Sequence, residues 1–266
     1  MTKSLFVAWR SSDSIGGRWG PVGRLDFTET HLFRFAYTRG ATMLAGFHPF
    51  PGMDSLNEIY ESKELFPLFF NRLLSKKRPE YTPFLLWCGF ETPTPDPLSI
   101  LGVTEGLRAT DTIEVFPCPY PDSRGRYRNQ FFLHGVQYLP PDAQQRIERL
   151  HPGDSLGFMF DVSNRHDSYA IAVRTCDDEG RYVIGYLPRY LARNLWELFR
   201  GLGREGMNRI PLTVARINPG APMQQRVLCR MEADWPQGFQ PCAGEEFLLL
   251  ANQPDNTTRA VGAAHA

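Results

Sequence analysis

Between residues 117 and 129 the chain reads Pro-Cys-Pro-Tyr-Pro-Asp-Ser-Arg-Gly-Arg-Tyr-Arg-Asn. Alternating prolines remove backbone donors, and no apolar period of a strand or a helix runs through the stretch. No element of regular structure is expected to cross it, so it divides the chain. With 266 residues there is length for two domains. The expected organisation is a first domain over 1–119, a linker over 120–128, a second domain over 129–251 and a disordered polar tail over 252–266. Hydrophobic residues at 42% and charged residues at 22% are ordinary for a packed core, which excludes disorder as the overall class.

Local patterns place the elements. Ser4–Trp9, Arg24–Phe27 and Leu32–Tyr37 read as strands, with a Gly-rich turn, Gly16–Gly23, between the first two. Leu65, Phe69 and Leu73 share a helical face over 65–76, and Asp96-Pro97 reads as an N-cap followed by proline at the first helical position. A strand at Thr112–Phe116 closes the first half. In the second half strands are expected at Phe131–Val136, Leu156–Phe160, Ala170–Arg174, Tyr182–Tyr186, Leu212–Ile217, Arg226–Met231 and Glu246–Leu250. Helices are expected at Asp142–Leu150 and at Pro188–Leu202, where Leu191, Leu195, Leu198 and Leu202 line one face. There is no internal repeat. The fold class expected is α+β.

Several function classes are set aside. The net charge is zero, so no overall field draws the protein to nucleic acid or membrane. Apolar runs such as Phe84–Cys88 fall far short of a membrane span, and the N-terminus lacks the apolar core of a secretory signal. A cytoplasmic protein without membrane contact is expected. Lysine occurs only at 3, 63, 76 and 77, and every cation from Arg78 onward is arginine. Arginine forks suit phosphate and carboxylate, though a GC-rich coding bias explains the same pattern. Five scattered cysteines with no C-x-x-C, and six histidines with no H-x-x-x-H, argue against a disulfide framework and a metal site. Gly153-Asp154-Ser155-Leu156-Gly157 matches G-x-S-x-G, but a helix precedes it and a strand follows, the reverse of a nucleophile elbow. The Gly16–Gly23 turn lacks a phosphate-loop pattern and leads into a strand. His166-Asp167 are neighbours, which does not make a catalytic dyad. A non-enzyme without cofactors is expected.

Two resemblances remain. In the first half, Val22-Gly23-Arg24-Leu25, then Leu68-Phe69-Phe70-Asn71-Arg72-Leu73-Leu74, then Asp96-Pro97-Leu98-Ser99-Ile100-Leu101-Gly102 resemble, in order, motifs of the N-terminal domain of HipA-type toxin kinases. That resemblance covers about residues 4–119 and implies a small α+β domain. The kinase core, with its Mg-binding Asp/Asn pair and ATP-holding lysine, does not follow it. The implied role is protein contact with a separate HipA-like kinase, as in an antitoxin-like component of a toxin–antitoxin system.

In the second half, Phe131–Tyr138, Ser163-Asn164-Arg165-His166-Asp167-Ser168-Tyr169-Ala170-Ile171-Ala172-Val173 and Ile184-Gly185-Tyr186-Leu187-Pro188-Arg189 resemble the HIRAN domain over about 129–251. The resemblance implies an OB-like small barrel that grips the 3′-hydroxyl end of single-stranded DNA. The residues it assigns to DNA are Gln137, Tyr138, Ser163, Asn164, His166, Asp167, Tyr186 and Arg189. Asp167 stands at the acidic position that would accept the hydroxyl, and Arg189 at the basic position for phosphate. Ser163, Arg165, His166, Leu139 and Gln137 depart from the family's Asn, Pro, Tyr, second aromatic and Arg. Two other uses remain open: an accessory DNA-end binder in repair, or a barrel serving protein contacts only.

Overall fold

A computed structural model describes residues 3–11, 18–92, 94–203 and 206–251. The strands of the first half are β1 (Lys3–Arg10), β2 (Trp19–Phe27), β3 (Phe33–Tyr37), β4 (Ile59–Ser62) and β5 (Ile113–Pro117). They form one antiparallel sheet in the order β4-β3-β2-β1-β5. Four short helices accompany it: α1 (Gly40–Met43), α2 (Pro67–Phe70), α3 (Tyr81–Trp87) and α4 (Pro97–Thr104). Asp96 caps α4 as expected, its side chain accepting the Ser99 N–H at 3.0 Å.

The second half carries β6 (Arg126–Phe132), α5 (Pro141–Glu148), β7 (Ser155–Phe160), β8 (Ile171–Thr175), β9 (Val183–Tyr186), α6 (Arg189–Leu202), β10 (Leu212–Ile217) and β11 (Val227–Asp234). Its antiparallel sheet runs β6-β11-β10-β7-β8-β9. After β6 the chain crosses to the far edge, where His134 and Tyr186 exchange backbone hydrogen bonds at 2.8 and 2.9 Å. Both edges of the sheet are thereby drawn toward one another, a half-barrel consistent with an OB-like fold. The apolar face of α6, with Leu191, Leu195 and Leu198 fully buried, packs into its core.

The expected elements need correction in places. The apolar face over 65–76 makes only the single turn of α2, because the Arg72 side chain turns inward to the carbonyl of Gly106 (2.8 Å) and the carboxylate of Asp111 (2.7 Å). The strand expected at 131–136 ends at Phe132. Residues 246–250 make a 3₁₀ turn, Glu245–Phe247, and a single bridge from Leu249 to Thr38 rather than a strand. Arg126, Tyr127 and Arg128 of the expected linker belong to β6, and Asp122 folds back to accept N–H bonds from Arg124 and Arg126. The tail over 252–266 and residues 12–17, the first two of the expected Gly-rich turn among them, lie outside the described residues; the rest of that turn from Trp19 on, with Gly20 and Gly23, is in β2. Gly153 sits in the turn from α5 into β7.

The halves are not separate bodies in their packing. Phe6, Trp19 and Phe116 of the first sheet join the barrel's core, and Phe116 stacks on Tyr190 of α6 at 4.6 Å with a 12° tilt. A second shared cluster sets Tyr81, Phe84 and Ile100 against Phe132 and Leu228. The end of the described chain returns to the first sheet, where Leu248 and Leu250 bond the backbone of Arg39 and Tyr37.

Candidate nucleic-acid interface

The loop from β7 to β8, residues 161–170, is built on three short polar side chains. Such side chains bond nearby backbone and hold tight turns. Asn164 Oδ1 accepts the N–H groups of His166 (2.9 Å) and Asp167 (3.1 Å). Its Nδ2 donates to Asp161 Oδ2 at 3.0 Å. Asp167 Oδ1 accepts the Tyr169 N–H at 3.0 Å, and its Oδ2 lies 3.4 Å from Arg189 Nε. Arg189, the first residue of α6, also donates to the His166 carbonyl at 2.6 Å. Both charged side chains are about one-sixth exposed.

Close backbone approach brings the neighbouring residues alongside. Gly185 has φ of 150°, and a Cβ there would stand 2.9 Å from the His134 carbonyl oxygen and from Leu133 Cβ. Only glycine lets the chain after β6 lie this close to β9. Gly135, at φ 72°, opens the 3₁₀ turn Val136–Tyr138, and a Cβ on it would touch the Tyr186 ring at 3.4 Å. That turn puts Gln137 on the surface and leaves Tyr138 82% exposed, a free aromatic face. The Tyr186 hydroxyl donates to Asp161 Oδ2 at 3.2 Å; burial, together with the Asp161 carboxylate, raises its pKa.

Asn164, His166, Asp167, Tyr186 and Arg189 are therefore joined by one hydrogen-bonded network, with His166 exposed on it. Ser163 is its outer member, donating to Asp161 Oδ1 at 3.3 Å. Gln137 and Tyr138 lie on the 3₁₀ turn and, among the described residues, make no hydrogen bond into the loop. The hub is a residue the sequence reading missed: Asp161 accepts from Ser163, Asn164 and Tyr186. The other omission is the aromatic border, where Trp196 Nε1 donates to the Tyr169 carbonyl at 3.2 Å and the Arg193 guanidinium lies 5.4 Å over the Tyr169 ring. An i, i+4 spacing of Arg189 and Arg193 on one helix was the available signal.

The arrangement has unused capacity. Asp167 is engaged once on each oxygen, and a carboxylate has further lone pairs for a hydroxyl donor. Arg189 is anchored by two contacts, leaving other N–H donors of its fork for an anion. Two tyrosines of this region, Tyr138 and Tyr169, are exposed. No cluster of three or more His, Cys, Asp or Glu groups able to hold a metal occurs among the described residues. Nor is any helix among them long and apolar enough to cross a membrane.

Fold and loop together define an OB-like half-barrel bearing a carboxylate–arginine pair on its β7–β8 loop and the start of α6. The HIRAN domain model matches residues 127–230, which include every residue of that network. A HIRAN domain implies binding of single-stranded DNA or DNA ends. No curated protein and no solved structure matches the chain.

Proposed function

We propose that the second half binds the 3′-hydroxyl end of single-stranded DNA through the Asp167–Arg189 pair. The observation that carries this reading is the pairing itself: a partly buried carboxylate with spare acceptor capacity, held by an arginine with spare donors. Asp167 accepts the terminal hydroxyl, Arg189 holds the adjacent phosphate, and Tyr138 offers a face for a base. Base–aromatic stacking contributes roughly 1–3 kcal/mol per base. The protein is a non-catalytic, cytoplasmic regulator in this reading. Its first half contacts a HipA-type kinase as an antitoxin-like component would, supported by the three ordered motifs over residues 4–119.

Fluorescence anisotropy on matched oligonucleotides, one ending in a 3′-hydroxyl and one in a 3′-phosphate, tests the DNA reading. The hydroxyl end should bind more tightly, because a phosphate would set like charges against Asp167. Asp167→Ala should erase the preference, and Arg189→Ala should weaken both strands and flatten the salt dependence. Equal affinity for the two ends in the wild type would make the barrel a protein-contact module. For the first half, co-expression of the full chain with a neighbouring HipA-type kinase should give a complex; its absence at low salt refutes the partnership. The full chain is needed because the halves share their core.

A further inference from the structure

A groove of about 880 Å³ lies on the first half and takes no part in the DNA site. Its apolar lining includes Leu65, Phe70, Leu73 and Leu74. The single turn of α2 sends Phe69 fully into the core and leaves Phe70 63% exposed. A large ring held out on a groove wall is a feature of interaction surfaces rather than of scattered surface residues. Half of the chain's four lysines, Lys76 and Lys77, line this groove together with one carboxylate, Glu64. Among the described residues neither ammonium enters a salt bridge.

We propose that this groove docks an acidic amphipathic helix of a partner protein. Apolar anchors at i, i+3 or i+4, and i+7 lie along Phe70 and the leucines, and carboxylates on the flank face Lys76 and Lys77. Compact lysine charges on flexible stems suit steering of such a helix better than fixed bidentate pairing. A second copy of this chain is a poor occupant, since α5 and α6 bury their apolar faces within their own barrel. The proposal rests on reading the first half as a protein-contact module, but not on that partner being a kinase.

A library of random 16-residue peptides displayed on phage and selected against the full chain provides the test. The enriched peptides should be acidic, with apolar residues at helical spacing. Measured by anisotropy, a selected peptide should bind Phe70→Asp about tenfold or more weakly than wild type. The double variant Lys76→Glu/Lys77→Glu should lose binding similarly and no longer show weakening by salt. Thermal melting points and DNA affinity of both variants should match wild type, which separates this surface from the loop site and from unfolding. Selection of nothing, of peptides without that pattern, or of peptides indifferent to both variants overturns the proposal. So does sedimentation showing a wild-type dimer that Phe70→Asp dissolves, since the occupant is then a second copy. Failure of the kinase co-purification alongside success here would reject the kinase and retain the groove.

Discussion

Asp161 holds the interface loop from beneath, and its removal should be felt at a distance from any ligand. Asp161→Ala leaves the Tyr186 hydroxyl, the Asn164 amide and the Ser163 hydroxyl without their acceptor. Stranding partly buried groups costs about 1–3 kcal/mol. The expected outcome is a lower melting point together with weaker DNA binding, while Asp161→Asn, which keeps one acceptor oxygen, should recover part of both. A loss of stability with unchanged DNA affinity would separate the loop from the site. Asn164, Asp167 and Arg189 were legible in the sequence because they lie at fixed places in spaced motifs. Asp161 was not, since an Asp opening a turn is common and its importance depends on Tyr186, a residue brought to it only by strand pairing.

The closure of the half-barrel depends on β9 accepting the chain at His134. Gly185→Ala should force that contact apart, with steric overlap added to an unfavourable φ. An order of 2–3 kcal/mol is expected, or roughly 5–10 °C in melting temperature for a chain of this size. Differential scanning calorimetry reads it directly, and an unchanged transition would mean the edge can relax without strain. At this scale the sequence was informative where periodicity is strong: α6, the β7–β8 hairpin and the capped start of α4 follow their patterns closely. It misled over 65–76, where the apolar spacing is helical but Arg72 is drawn into the core by partners at 106 and 111. It misled again over 246–250, whose extended-looking residues serve as a strap along the first sheet.

At the scale of the molecule, the two halves meet across a titratable contact. His134 Nε2 lies 2.9 Å from Glu105 Oε1, and Trp19 Nε1 donates to Glu114 Oε2 at 2.9 Å. Burial opposes the imidazolium, but Glu105, with Glu114 behind it, outweighs that and raises His134 above its ordinary 6.5, against an opposing Arg10. Burial first, then the Glu105 charge, raises Glu114 as well. Each group holds its proton more tightly in the folded state than in the unfolded one. Their contribution to stability is therefore present at low pH and is lost as pH rises, for His134 from about 6.5 upward. Melting temperature should fall as pH rises above about 6.5, and His134→Gln should flatten that slope. An identical slope in the variant would assign the pH dependence elsewhere. None of this contact could be read locally, because its members are distant in sequence and share no periodic pattern.

The strap formed by Leu248–Leu250 also sets an order of events during synthesis. Thr38 leaves the ribosome more than 200 residues before its bridge partner Leu249. At 5–20 residues per second that interval is on the order of ten to forty seconds. Throughout it, the backbone groups of Tyr37 and Arg39 wait without the partners they have in the finished fold. The first sheet is thus the first to be made and the last to be completed, and nascent chains stalled before residue 248 should be more open to protease at β3 than released chains are.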